Sequence, residues 1–149
     1  MSNIPNATPK SFRLTLVNEV EEISKLEGYI KEIASSAGID PSLAMSLNLA
    51  LEEAVTNVVL YAYPEGQTGE ADILTTVADG VMTIVISDSG VPFDPTKDAK
   101  EADITLSAEE RPIGGLGVFL VKEIMDTVSY QRTDGKNVLT LTKALVSGE

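Results

Sequence analysis

The amino-acid sequence predicts an α+β domain: a two-layer α/β sandwich in which helices cover one face of a mixed, largely antiparallel sheet. Three observations carry that expectation. Apolar residues alternate on both sides of Asp79-Gly80 and Asp134-Gly135, the pattern of two-residue β-hairpins. Apolar residues recur at threes and fours over 20–37 and 41–63, the period of amphipathic helices. The 149 residues, 43% of them hydrophobic, suit one core in a domain that buries about 70% of its unfolded surface.

Residues 1–10 read as a flexible arm and 11–149 as a single domain. Phe12, Leu14 and Leu16 alternate with Arg13, Thr15 and Val17 as a first strand. Val20, Ile23, Leu26, Ile30, Ile33 and Ala37 then line one side of a helix that Gly38 closes. Asp40-Pro41 supplies an N-cap and a first-turn proline for a second helix, which runs to about Tyr63 and stops at Pro64-Glu65-Gly66. Strands are expected at about 71–78 and 81–87. Residues 88–113 contain Gly90, Pro92, Pro95 and Pro112 and no sustained period, and a connection so long in a compact domain suggests a lid at about 95–113. From Gly115 to Met125 the helical pattern resumes, with Leu116, Phe119, Leu120, Val121 and Ile124 offered to the core. Two strands, about 127–132 and 137–143, close the chain.

Composition removes many functions. Eleven Lys plus Arg against 23 Asp plus Glu give a net charge of −12, which speaks against direct nucleic-acid binding and against an anionic membrane surface. With no Cys and no His there is no disulfide framework, thiolate metal site, imidazole base or internal phosphohistidine. Proton transfer must use a carboxylate, Lys or Tyr. Nowhere do about 18 consecutive apolar residues occur, and the N-terminus has no apolar signal region, so a cytoplasmic protein is expected.

Three constellations carry chemistry. On the second helix Glu53 and Asn57 lie four apart, stacked beside a face built from Leu47, Leu51, Ala54, Val55, Val58 and Ala62. Either they pair with each other or cap a loop at the core edge, or they line a pocket in which the Asn oxygen suits Mg2+ and the carboxylate accepts a proton. Asp88 ends a well-patterned strand and opens Asp88-Ser89-Gly90-Val91-Pro92-Phe93-Asp94-Pro95. This is either an ordinary Asx turn or an acceptor for an exocyclic amine, with Gly90 admitting a flat ring. As a calcium loop it fails, because Gly90 and Ala99 occupy ligand positions. Gly114-Gly115-Leu116-Gly117 opens a helix, where free N–H groups and the helix dipole favour phosphate, or else it is a hinge. It is neither a Rossmann nor a Walker A run.

In their order, Glu53-Ala54-Val55-Thr56-Asn57, Asp88-Ser89-Gly90 and Gly114-Gly115-Leu116-Gly117 resemble the motifs of the GHKL superfamily of ATP-binding domains, and the form Asp88 to Pro95 resembles its anti-sigma-factor serine/threonine kinase branch. The resemblance implies Glu53 as the catalytic base and Asn57 as the ligand of Mg2+. Asn57, Asp88, Gly90, Phe93, Gly115, Leu116 and Gly117, on the matching motifs, are then expected to bind ATP, and Arg111 is added from its place at the end of the lid. Asp88 would receive the adenine amine; apart from the resemblance, Arg111 at the end of the lid suits either the γ-phosphate, as a charge-assisted donor, or a salt bridge to Glu109 or Glu110. The sequence departs from the family at Pro92, at Tyr61 where some members have His, and at Asn137 where a Thr often sits. The implied activity is Mg-ATP-dependent phosphorylation of a small anti-sigma-factor antagonist protein, with release of a sigma factor and a possible homodimer. A non-catalytic ATP-gated binding module and a detached histidine-kinase catalytic domain are the alternatives.

Overall fold

The computed structural model describes residues 9–96 and 117–145. Five strands form one sheet: β1 (Lys10–Val17), β2 (Glu70–Ala78), β3 (Val81–Asp88), β4 (Thr127–Thr133) and β5 (Lys136–Ala144). Their order is β1-β2-β3-β5-β4, and every pairing is antiparallel. Among the described residues three α-helices, α1 (Lys25–Ala37), α2 (Pro41–Asn57) and α3 (Gly117–Ile124), accompany the sheet in an α+β fold. The sheet separates its faces as the alternation requires: Met82, Ile84 and Ile86 are sealed, whereas Val81, Thr83, Val85 and Ser87 keep contact with solvent.

Local chemistry explains the turns. At both hairpins the two central residues have left-handed backbones: Asp79 and Gly80 at φ 56° and 77°, Asp134 and Gly135 at 53° and 75°. Such pairs match the twist of the flanking strands, and Asp and Gly tolerate them. Gly38 ends α1 at φ 69°, and the Asp40 carboxylate accepts from the N–H groups of Ser42 and Leu43 to cap α2. Leu47, Leu51, Ala54 and Val55 bury the predicted face of α2 against α1, α3 and the sheet.

Several expectations change. The first helix does not run unbroken from Val20: Val20–Ser24 form a 3₁₀ turn, and Val20 points outward, 61% exposed. Its threefold spacing to Ile23 is shared by 3₁₀ and α geometry, so periodicity could not tell them apart. Phe119 is 56% exposed instead of joining the core, which α3 reaches through Val121. The second helix loosens after Asn57 into a π-helical turn, Val58–Ala62. Although it lacks a long uninterrupted apolar run, Pro41–Ala62 is long and apolar enough by average to cross a membrane; here it is the core helix, packed by α1 and α3. Lys10, assigned to the arm, opens β1, and residues 1–8 lie outside the described residues. Of the expected lid only Pro95 and Thr96 are described, and they turn on the Asp94 carboxylate, which accepts from the Thr96 N–H and hydroxyl.

Because Asp40 satisfies two N–H groups that have no partner within the helix, Asp40→Ala should lower stability by about 1 kcal/mol, read from urea unfolding with an unchanged m-value.

Candidate functional site

The site grows from the register of two strands. Asp88, the last residue of β3, is paired directly with Asn137 of β5, so both side chains stand on the inner face at the same end of the sheet. Asp88 is 5% exposed and Asn137 4%. The Asp88 Oδ1 accepts from the Asn137 amide at 2.8 Å and from the Gly90 N–H at 2.9 Å. Both bonds fall on Oδ1, and no described residue donates to Oδ2. Burial pushes the Asp88 carboxyl above the ordinary aspartate range, opposed by the hydrogen bonds from Asn137 and Gly90 and by the positive charge of Arg132.

The backbone that follows is held at almost every peptide. The Tyr63 hydroxyl accepts from the Ser89 N–H while donating to the Glu70 carbonyl. Arg132 donates to the Gly90 carbonyl, and the Val91 N–H donates to the Ala62 carbonyl at 2.7 Å. Asn137 donates to the Val91 carbonyl and accepts from the Phe93 N–H. The Phe93 ring stacks on Tyr61, with centroids 5.5 Å apart and planes at 29°. These contacts join the Asp88 loop to the π-helical turn that continues α2, and so to Asn57 and Glu53.

Asn57 is 1% exposed, and neither its amide nitrogen nor its carbonyl oxygen has a hydrogen-bond partner. Among the described residues it alone keeps both polar side-chain atoms buried and unpaired. Such a group costs about 1–3 kcal/mol, so it is retained for something other than stability. One turn earlier Glu53 is half-buried, and its carboxyl is pushed above the ordinary range, first by burial and then by the charge of Glu52. Glu53 and Asn57 do not bond to each other, and Glu52 instead accepts from Asn48 at 3.2 Å. No cluster of three acidic side chains stands ready for a metal among the described residues. The Asn57 oxygen is a donor of the hardness that Mg2+ prefers, and it has no hydrogen-bond partner.

The structure thus brings Glu53, Asn57, Asp88, Gly90 and Phe93 onto one connected substructure. Gly117 is the first residue of α3, which packs along α2. Arg111, Gly115 and Leu116 lie outside the described residues. Gly90 has a structural reason of its own: any Cβ there would collide with the Ala62 backbone carbonyl, so this glycine serves the docking of its loop on the π-helical turn. Sequence reasoning passed over Tyr63, and noted Asn137 only as a departure from the family. Neither has a local signal, because their partners are 26 and 49 residues away.

The sheet thus carries a buried carboxylate at a paired strand end, joined through one loop to a core helix with an unpartnered Asn and a desolvated Glu. The model of the histidine kinase-like ATPase domain matches residues 16–143, and the chain belongs to that family. Within it, the chain falls in the anti-sigma-factor serine/threonine kinase branch. It is 33% identical over 110 residues to the serine-protein kinase RsbW of Listeria monocytogenes, covering 72% of this chain and 70% of that protein. It is 31% identical over 114 residues to the serine/threonine-protein kinase BtrW of Bordetella bronchiseptica, covering 76% and 80%. RsbW of Bacillus subtilis is 32% identical over 118 residues, covering 76% and 72%. The fold also matches the crystal structure of the RsbU and RsbW domains of Rv1364c from Mycobacterium tuberculosis, with a TM-score of 0.65 at 17% identity, over 91% of this chain and 32% of that one.

Two expectations follow from the buried polar groups. Since the Asp88 carboxyl is raised in the folded state, the native protein holds that proton to higher pH than the unfolded chain. Its contribution to stability is therefore lost as pH rises from the ordinary aspartate value of about 3.9 through the raised one. Asp88→Asn should remove that fall and leave the nucleotide-free protein as stable or up to about 1 kcal/mol more stable at neutral pH, in melting curves taken across pH. Asn57→Ala should cost less than about 1 kcal/mol in urea unfolding, because no hydrogen bond is broken, and should abolish the Mg2+-dependent part of ATP binding in calorimetry.

Proposed function

We propose that the protein is a Mg-ATP-dependent kinase that phosphorylates a serine or threonine of a small anti-sigma-factor antagonist protein and thereby controls the release of a sequestered sigma factor. The observation that carries this reading is the buried Asn57 amide without a partner, one turn from the desolvated Glu53 carboxylate. The names of the relatives supply the direction: proteins 31–33% identical to this chain over the aligned 110–118 residues are serine or serine/threonine kinases. Asp88, held at Oδ1, offers Oδ2 to the exocyclic amine of adenine, and Phe93 stacked on Tyr61 borders the same loop. Arg111, Gly115, Leu116 and Gly117 would complete the phosphate end, with residues 95–113 closing over the nucleotide.

In this mechanism the acceptor hydroxyl loses its proton to Glu53 as its oxygen forms a bond to the γ-phosphorus. The bond from that phosphorus to the bridging oxygen breaks, and ADP leaves. Mg2+, when bound, neutralises phosphate charge. A carboxylate with a raised pKa is suited to the base role, because its affinity for a proton lies nearer the working pH. The net charge of −12 suits recognition of protein partners over nucleic acid, and a cytoplasmic location and a homodimer accompany the proposal.

Labelled ATP with the antagonist protein tests it. Glu53→Gln should lower label transfer by about 10²–10⁴-fold while changing ATP affinity in calorimetry less than about threefold. Transfer at the unaltered rate would remove Glu53 from the base role. ATP binding without any transfer by the unaltered protein would make it a gated binding module.

A further inference from the structure

We propose that Asn137 is a positioning residue of the nucleotide site, which clamps the Asp88 loop into its binding shape before any nucleotide arrives and does not itself touch the base. The proposal rests on the reading of Asp88 as the adenine acceptor. A primary amide has two N–H donors and two carbonyl lone pairs, and in Asn137 all four are used. The nitrogen donates to the Asp88 Oδ1 at 2.8 Å and to the Val91 carbonyl at 2.8 Å. The oxygen accepts from the Phe93 N–H at 3.0 Å and from the Tyr130 hydroxyl at 2.5 Å. Nothing is left over for a ligand, and the side chain is 4% exposed.

One side chain thereby sets three things. It holds the carboxylate rotamer, so that Oδ2 is the oxygen left for a donor. It ties the chain on both sides of Pro92, through Val91 and Phe93. It anchors both to β4 through Tyr130. A site prepared in this way avoids the ordering cost that a loose loop would lose from its binding energy. The charged and titratable groups around Asp88 are Arg132 and Tyr130 of β4, then Tyr63, Glu70, Asp72 and Lys136, which line a pocket with it, and Asp94 at the far side of the loop.

Asn137→Asp is nearly isosteric and keeps both acceptors, but it removes both donors and sets a second carboxylate against Asp88. At pH about 7.5 the affinity for Mg-ADP should fall by about tenfold or more, and it should recover about threefold or more by pH 5.5, where the pair shares a proton. The unaltered protein should show no such recovery, and kcat of the variant at saturating ATP should change less than about threefold. General damage to the fold would lower kcat and affinity together, with no return at low pH. Affinity for Mg-ADP equal to that of the unaltered protein at pH about 7.5 would overturn the proposal. An independent arm needs no variant: amide exchange of the nucleotide-free, unaltered protein should show Phe93 and Gly90 protected by about tenfold or more over the free-chain rate. Free-chain exchange at Phe93 would overturn the clamp even if the variant misfolds. Should the unaltered protein bind no Mg-ADP, the proposed function falls together with any role of Asn137 at an adenine site, while Phe93 protection would still report the clamp as a structural one.

Discussion

The hydrogen bond from the Asn137 amide to the Asp88 carboxylate is the contact on which the candidate site depends. It exists because β3 and β5 are paired with Asp88 opposite Asn137, and a shift of one residue would put the two side chains on opposite faces of the sheet. From it follow the placement of the loop through Val91 and Phe93, the stacking of Phe93 on Tyr61 and the seating of Gly90 on the Ala62 carbonyl. The tight Asp79-Gly80 turn sets the register of β3 against β2, and the Asp134-Gly135 turn sets β5 against β4. The Asp88–Asn137 pair is thus framed by a turn at the far end of β3 and by another two residues before Asn137.

The same region keeps three polar groups in surroundings that disfavour them. Asp88 and Glu53 are carboxylates whose charged forms are penalised by burial, and Asn57 is an amide with nothing to bond. Each sits beside well-packed residues such as Ala54, Val55 and Ile86, so the surroundings cannot relax to solvate it. Stability given up in this way recurs where a ligand is to supply the missing partners. Away from the site, other polar groups find partners: the Tyr29 hydroxyl bonds to Thr75 and Phe12, and Arg13 pairs with Asp72 at the surface. The π-helical turn Val58–Ala62 directly follows Asn57, and it brings the Ala62 carbonyl to the Val91 N–H.

Where the sequence was misread, the competing physics can be named. Val20 fits the helical spacing to Ile23, but the chain between β1 and α1 turns more tightly than an α-helix. Phe119 is apolar in an apolar helix, yet α3 is short and reaches the core through Val121, leaving Phe119 on its outer side. Gly90 was not misread but incompletely read: its loop of turn-forming residues gives no hint that the Ala62 backbone leaves no room for a side chain there.

By itself the sequence determined the α+β class, the two hairpins, the caps of α1 and α2, the buried face of α2 and the identity of Glu53, Asn57 and Asp88 as the residues to watch. All of these are encoded by neighbours within a few positions, where backbone sterics, helical period and strand alternation act directly. Tertiary structure alone decided that Asn57 is unpartnered, that Gly90 is demanded by Ala62, and that Tyr63 and Asn137 hold the Asp88 loop. These facts depend on residues dozens of positions apart meeting across a sheet or against a helix, and the distance between them along the chain leaves no local pattern to read.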